Sequence, residues 1–311
     1  MVSVQGSSED LGQYGWRSYP GILLRLYRSL TSVDQGPRTV DEELSLPWQR
    51  IGIATNEIDP DFTKALPIAL AWGIGNLELK IIAPGIRVPD GSESQWEPIH
   101  AAFTSGEMRC IALSPGCFMG SFDNYKADLA RLDACLGRAE QLKAKLVVVF
   151  SFARGEAPDD AKIPSSHVQA LREAARRAED HGLTLALENM SGQWADTVPN
   201  TVRLLEQVDH PAFGLNWDPG NAAYAGDQNV FPEGYERIKP FMVHFHLKDH
   251  ILDTPPGRWA TLGDGQLDYE AQLRQVVAEG YRGWFVIETH HEPLVENSRR
   301  NLDFLRNVLG R

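Results

Sequence analysis

Cysteine is scarce in this chain. Cys110, Cys117 and Cys135 are the only three in 311 residues, and their spacing fits neither a disulfide framework nor a thiolate metal site. A reducing, cytoplasmic setting is therefore expected. Long apolar runs are also missing: none approaches the ~20 residues that span a bilayer. The segment GILLRLYRSL is cut by Arg25 and Arg28 and lacks the layout of a secretory signal, so it reads as a short amphipathic helix and no membrane partner is expected. Basic residues are outnumbered, 30 Lys and Arg against 42 Asp and Glu, and a net charge of −12 argues against a nucleic-acid partner. No Gly-rich phosphate turn follows the first apolar run, which argues against an open dinucleotide-binding sheet. No solenoid-like repeat is visible either.

What is present is an alternation of strand and helix. With 42 % hydrophobic residues the chain suits one large domain, and α/β barrels run to about 250 residues plus insertions. RIGIAT, NLELKII, MRCIALS and KLVVVFS read as strands one to four. Helices are expected between them: one in PDFTKALPIALAWG, interrupted or kinked near Pro67, then at 94–105, 123–143 and 165–181, the last closed by Gly182. Four more strands follow, with helices near 198–208, 230–238, 268–279 and 295–309; Asp268 is a natural N-cap and Gly280 a natural stop. Eight such units close into an α/β fold of the (β/α)8 TIM-barrel class over residues 49–311. Residues 1–48 form an N-terminal extension, with a helix expected from Pro20 to about Val33, that serves as a packed arm or a lid.

The last four strand runs share one feature. LTLALEN ends at Glu188, GLNWDP at Asp218, FMVHFHLKD carries His246, and WFVIETH ends at Glu288. Side chains alternate across a strand. Thr184, Ala186 and Glu188 then share one face, as do Asn216 and Asp218, Met242, His244 and His246, and Val286 and Glu288; the bulky opposite face packs on helices. All four terminal groups fall on the lumen side, at the rim where barrel enzymes keep their sites. Three carboxylates gathered there would repel each other unless a cation lay between them. Oxygen-rich ligation with one imidazole suits Mn²⁺ or Mg²⁺, with Co²⁺ or Zn²⁺ as alternatives.

The segments LENMSG, WDPGN, VHFHLKD, GDGQLDY and GYRGWFVIE resemble the xylose-isomerase-like barrel superfamily, whose members include sugar-phosphate isomerases, ketose 3-epimerases, inosose dehydratases and hydroxypyruvate isomerases. The resemblance is strong over 183–288, extends from Ile51, and leaves the first 48 residues uncovered. It implies that Glu188, Asp218, His246 and Glu288 are metal ligands, with His246 rather than His244 as the imidazole. It also implies that Glu188 and Glu288 act as base and acid on opposite faces of a small sugar or keto-sugar, in a homo-oligomer. General acid–base help of this kind is worth roughly 10²–10⁴-fold.

The weaker candidates for substrate contact are Glu78 at the end of the second strand, Lys248 two past His246, Asn221 three past Asp218, and Trp194, which could stack on a sugar face. Glu78 could instead pair with Lys80, Lys248 with Asp249 or Glu288, Asn221 could be a turn residue, and Trp194 could anchor its loop. Two departures separate the chain from ketose 3-epimerases: Asn221 stands where they carry histidine, and HLKDHILD offers no arginine. The leading expectation is a metal-dependent isomerase or epimerase working through an enediolate. The alternative is a lyase or dehydratase on the same metal, acting on an inosose, a dehydroshikimate-like acid or a 3-keto-glycoside. A three-zinc phosphodiesterase of the type-IV apurinic endonuclease kind would need more than the nine histidines present. A non-catalytic sugar-binding barrel would not need the four ligands.

Overall fold

Short runs of Val, Ile, Leu and Phe buried on both faces are what a parallel sheet covered by helices requires. The computed structural model describes residues 47–106, 108–158, 161–252 and 257–310. In chain order the strands are β1 (Ile51–Ala54), β2 (Asn76–Leu79), β3 (Ile81–Ala83), β4 (Ile86–Arg87), β5 (Arg109–Leu113), β6 (Leu146–Val149), β7 (Thr184–Glu188), β8 (Phe213–Trp217), β9 (Met242–Leu247), β10 (Asp249–Ile251), β11 (Arg258–Ala260) and β12 (Phe285–Ile287). Eight of them close a parallel barrel in the order β1-β12-β9-β8-β7-β6-β5-β2. The seam pairs Ile51 with Phe285 and Ile53 with Ile287. The other four form two antiparallel hairpins, β3 with β4 and β10 with β11, which the strand–helix count did not anticipate. Both leave the C-terminal rim of the barrel.

The helices are α1 (Phe62–Ala71), α2 (Glu93–Thr104), α3 (Tyr125–Gln141), α4 (Ser165–Asp180), α5 (Val198–Val208), α6 (Pro219–Tyr224), α7 (Tyr235–Ile238), α8 (Tyr269–Ala278) and α9 (Leu294–Leu309). α1 is capped by Asp61, whose side chain accepts from the Thr63 amide, and it runs on through Pro67 rather than stopping there. Asp268 caps α8 as its sequence position indicates, accepting from the Ala271 amide. Gly182 and Gly280 take positive φ of 65° and 82° just after their helices, the left-handed turn that lacks a Cβ penalty only for glycine. The helix expected at 230–238 is instead a wide π turn, Val230–Gly234, leading into the short α7. None of the described helices is long and apolar enough to cross a membrane. The arm expected over 1–48 and its helix at Pro20 to Val33 lie, but for Pro47 and Trp48, outside the described residues.

The large core lies between barrel and helices, where Leu77, Leu185, Leu187, Trp217, Phe245 and Phe285 pack against the helical face. Fully burying each such side chain stabilises the fold by about 1.5–3 kcal/mol. A second, small cluster fills the lumen: Ala112, Leu146, Val148 and Ala186, with Val243 and Trp284 packed on it. Strict alternation along β9 put Met242 in the lumen and Val243 outside. The structure reverses them, because the β8–β9 register shifts after Leu215, with Leu215 opposite Met242 and Asn216 opposite His244. Val243 then fills the space beside Gly214, where an added Cβ would come within 2.6 Å of it. His244 and His246 keep their lumen positions.

Candidate metal centre

Four adjacent staves deliver the polar rim. Glu188 is the last residue of β7, Asp218 follows β8, His246 lies near the end of β9, and Glu288 follows β12. One ligand atom from each lies within 4.8 Å of the others, and all four residues are buried. Donors opposite each other across one ion stand about 4.2 Å apart at about 2.1 Å from it and about 4.8 Å apart at about 2.4 Å, so this spread is within reach of a single divalent ion. Glu188 Oε2 and His246 Nδ1 are buried with no hydrogen-bond partner, and Asp218 Oδ2 meets the Lys248 ammonium at 2.7 Å. Unsatisfied buried acceptors are costly. Two of them converging on one point, with the Asp218 and Glu288 carboxylates beside them, fit a bound cation.

Each ligand is held from behind. Asn189 grips the backbone of Asp218 twice, donating from Nδ2 to its carbonyl at 2.8 Å and accepting from its amide at 2.9 Å. Asp218 also caps α6 by accepting from the Asn221 amide at 2.8 Å. Asn221 is thereby placed to donate to Glu188 Oε1 at 3.1 Å and to the Asn189 carbonyl at 2.9 Å. The Asn221 side chain thus orients Glu188, and α6, absent from the sequence reading, exists because the WDPGN turn starts a helix at its proline.

His246 is fixed by Glu78. The carboxylate Oε2 lies 2.9 Å from Nε2 of both His244 and His246. Burial alone would raise the Glu78 carboxyl, but His246, His244 and Lys80 together hold it well below the ordinary range, so it stays ionised. An ionised carboxylate only accepts, so both imidazoles donate from Nε2. His246 therefore presents Nδ1 to Glu188 and Glu288, at 3.5 and 3.3 Å. Burial likewise raises the Glu188 carboxyl, and Lys80, His246 and Lys248 outweigh it, leaving Glu188 charged.

Two lysines reach the cluster. Lys80 bonds Glu288 Oε1 and stands 3.9 Å from Glu78. Lys248 Nζ lies 2.5 Å from Glu288 Oε2, 2.7 Å from Asp218 Oδ2 and 3.9 Å from Glu188 Oε1. Glu288 is thus clamped from both sides, whereas Glu188 meets only Asn221 closely. The GDGQLDY turn supports this strand end. Asp249 accepts from the amides of Gly263, Gly265 and Leu267, and the Tyr269 hydroxyl donates to the Lys248 carbonyl at 2.7 Å. Gly265 passes so close to Asp249 that an added Cβ would meet its carboxylate at 2.1 Å.

Of the residues singled out in the sequence, seven come together: Glu78, Glu188, Asp218, Asn221, His246, Lys248 and Glu288. Trp194 does not join them. It is buried in the outer core with His167 edge-on at 5.8 Å. The aromatic group at the mouth is Trp259, on β11, whose ring centroid lies 5.2 Å from Lys248 Nζ. Sequence reasoning also missed His290, with Nε2 3.4 Å from both Glu57 and Glu288, and the bond from Lys80 to Glu288. His290 follows Glu288 by two, and Lys80 follows Glu78 by two; that parity was the available signal.

The family model for the xylose isomerase-like TIM barrel matches residues 66–308. Inosose dehydratase from Salmonella agona (strain SL483) is 30 % identical over 146 residues, a match covering 40 % of this chain and 46 % of that protein. The chain therefore spans about half the length of the curated relatives it matches. Among solved structures, the probable 3-DHS dehydratase AsbF from Bacillus anthracis aligns with a TM-score of 0.68 at 16 % identity, over 83 % of this chain and 99 % of that one. The 3-keto-D-glucoside 4-epimerase YcjR from E. coli aligns with a TM-score of 0.64 at 16 % identity, over 83 % and 98 %. A closed eight-stranded barrel, a buried Glu–Asp–His–Glu cluster at its rim and a family model spanning most of the chain agree, and the chain belongs to the xylose isomerase-like TIM barrel family.

Proposed function

We propose that this protein is a divalent-metal-dependent carbon–oxygen lyase that removes water from a keto-substituted sugar or cyclitol. The observation that carries the reading is the inequality of the two glutamates. Epimerisation by two bases asks both carboxylates to exchange protons with the substrate. Glu288 is tied to Lys80 and Lys248, while Glu188 has an unpartnered oxygen at the cluster. One carboxylate not closely held by a lysine, beside an ammonium that can give a proton, suits elimination better. The names of the curated relatives and of the Bacillus anthracis neighbour, both dehydratases, support the same choice.

Glu188, Asp218, His246 and Glu288 would hold the ion, Mn²⁺ or Mg²⁺ by the oxygen-rich donor set. Once bound, it supplies Lewis acidity toward a substrate carbonyl. Glu188 takes the proton from the carbon next to that carbonyl. The C–H electron pair becomes the new carbon–carbon double bond as the C–O bond on the next carbon breaks. Lys248, the ammonium nearest both Asp218 and Glu188, gives a proton to the departing hydroxide, which leaves as water. Asn221 keeps Glu188 turned toward the substrate.

The second reading is the isomerase or epimerase expected from the sequence, with Glu188 and Glu288 as base and acid. Both glutamates front the same cluster, which favours it, and an epimerase of the same fold stands among the neighbours. Incubation with Mn²⁺ and a panel of keto-sugars and keto-cyclitols in heavy water separates the two. A product lighter by one water supports the lyase. An unchanged mass with deuterium gained on carbon supports the isomerase, and no exchange with any ketone removes both.

A further inference from the structure

Beside the metal cluster lies a cavity of about 400 Å³. Its walls come from the loops after β1 and β12 and from β11, so it opens on the same rim. Asn56, whose Oδ1 has no partner, and Glu292 offer polar atoms, the buried Glu57 already accepts from Asn56 and the His290 amide, Trp259 forms a wall and His290 a corner shared with the cluster. The indole is held before any ligand arrives. It stacks on Tyr224 at 5.0 Å and 24°, with His250 and His290 edge-on at 5.8 and 6.1 Å. The ring remains half-buried. An indole face packs well against the C–H face of a saturated ring, and a wall fixed in advance loses little entropy on binding.

The charge of the lining is selective. It includes two carboxylates, Glu57 and Glu292, and among the described residues no Lys or Arg. Lys248 Nζ stands 5.2 Å from the Trp259 ring centroid, but it and Lys80 are both engaged with Glu288. An anionic group placed here would meet like charge with no lysine or arginine in the described lining itself, while hydroxyls find acceptors.

We propose that this cavity is a second subsite, which takes a neutral, polyhydroxylated ring against Trp259 and disfavours carboxylated or phosphorylated ones. It deepens the reading above and rests on it for the reacting end of the substrate. Within that reading, it selects inosose-like or keto-glycoside substrates over dehydroshikimate-like acids.

Saturation-transfer NMR and titration with two inert probes, myo-inositol and shikimate, test the subsite without relying on turnover. Wild type is expected to bind myo-inositol more tightly than shikimate, with the strongest transfer to ring C–H protons. Trp259→Ala should weaken inositol binding about tenfold, as loss of an aromatic anchor does. Trp259→Phe should recover most of it, and Glu292→Arg should shift preference toward shikimate. Should Trp259→Ala fail to fold, Trp259→Phe and Glu292→Arg carry the comparison. Inositol binding unchanged in folded Trp259→Ala, shikimate preferred by wild type, or no shift in Glu292→Arg overturns the subsite. Its outcome is separable from the lyase reading: absent water loss from every ketone sinks the lyase, whatever the probes do.

Discussion

Oε2 of Glu78 lies 2.9 Å from Nε2 of His246, and this one contact turns Nδ1 of the same ring toward Glu188 and Glu288. A carboxylate behind a ligating imidazole fixes its tautomer and its direction. Glu78→Gln should therefore leave the barrel folded and weaken Mn²⁺ binding roughly 10–100-fold. Calorimetric titration of the metal into the variant and wild type measures it. Equal affinities would mean that Glu78 has only a packing role.

The same carboxylate makes stability depend on pH. Burial works to raise the Glu78 carboxyl, but His246, His244 and Lys80 hold it well below the ordinary 4.5. A group depressed in the folded state stabilises the fold above its unfolded value, and that contribution is lost as acid protonates it. Glu188 is depressed in the same direction, its burial likewise outweighed by Lys80, His246 and Lys248. Metal-free protein should thus melt at steadily lower temperature as pH falls below the ordinary 4.5. Glu78→Gln should flatten part of that slope. Thermal melts in chelator at a series of pH values read it directly.

Lys248 bridges Asp218 and Glu288 at 2.7 and 2.5 Å, inside a group of buried carboxylates. Removing one partner of a buried ion pair costs about 3–5 kcal/mol, because a charge is left without a counterion. Lys248→Met should destabilise the metal-free protein by that order. Added Mn²⁺ at 100 times its Kd should return about 2.7 kcal/mol through mass action. Denaturant titrations with and without metal test both halves, and a variant as stable as wild type without metal would contradict the account.

Glu188→Gln keeps the shape of the ligand and the bond from Asn221 but removes the base. Deuterium uptake at the carbon next to the ketone should fall roughly 10²–10⁴-fold while the fold persists. Exchange at the wild-type rate would place the base elsewhere, with Glu288 the next candidate.

The barrel was legible because its strands are short apolar runs at a regular spacing, and the rim because acids and one histidine end four of those runs. Parity placed Glu188, Asp218, Glu288 and both His244 and His246 on the lumen side, and the family resemblance chose His246 between the two histidines. Parity then failed at β9, where the shifted register exchanged Met242 and Val243; such a shift depends on the room beside Gly214 in the lumen. Lys80, weighed in the sequence as a partner for Glu78, stands 3.9 Å from it and also bonds Glu288 across the barrel seam. Parity puts Lys80 on the lumen side, but nothing local to NLELK names its partner on another strand. Trp194 and Trp259 differ for the same reason. One packs under its loop and the other stands at the mouth, on a hairpin whose pairing of His250 with Trp259 is a tertiary event.

The most direct test of the central claim is anomalous diffraction from crystals grown with Mn²⁺. The account predicts one manganese peak per chain, within coordination distance of Glu188, Asp218, His246 and Glu288, and its loss in Asp218→Ala. A well-ordered wild-type barrel with no manganese among those four side chains would contradict it.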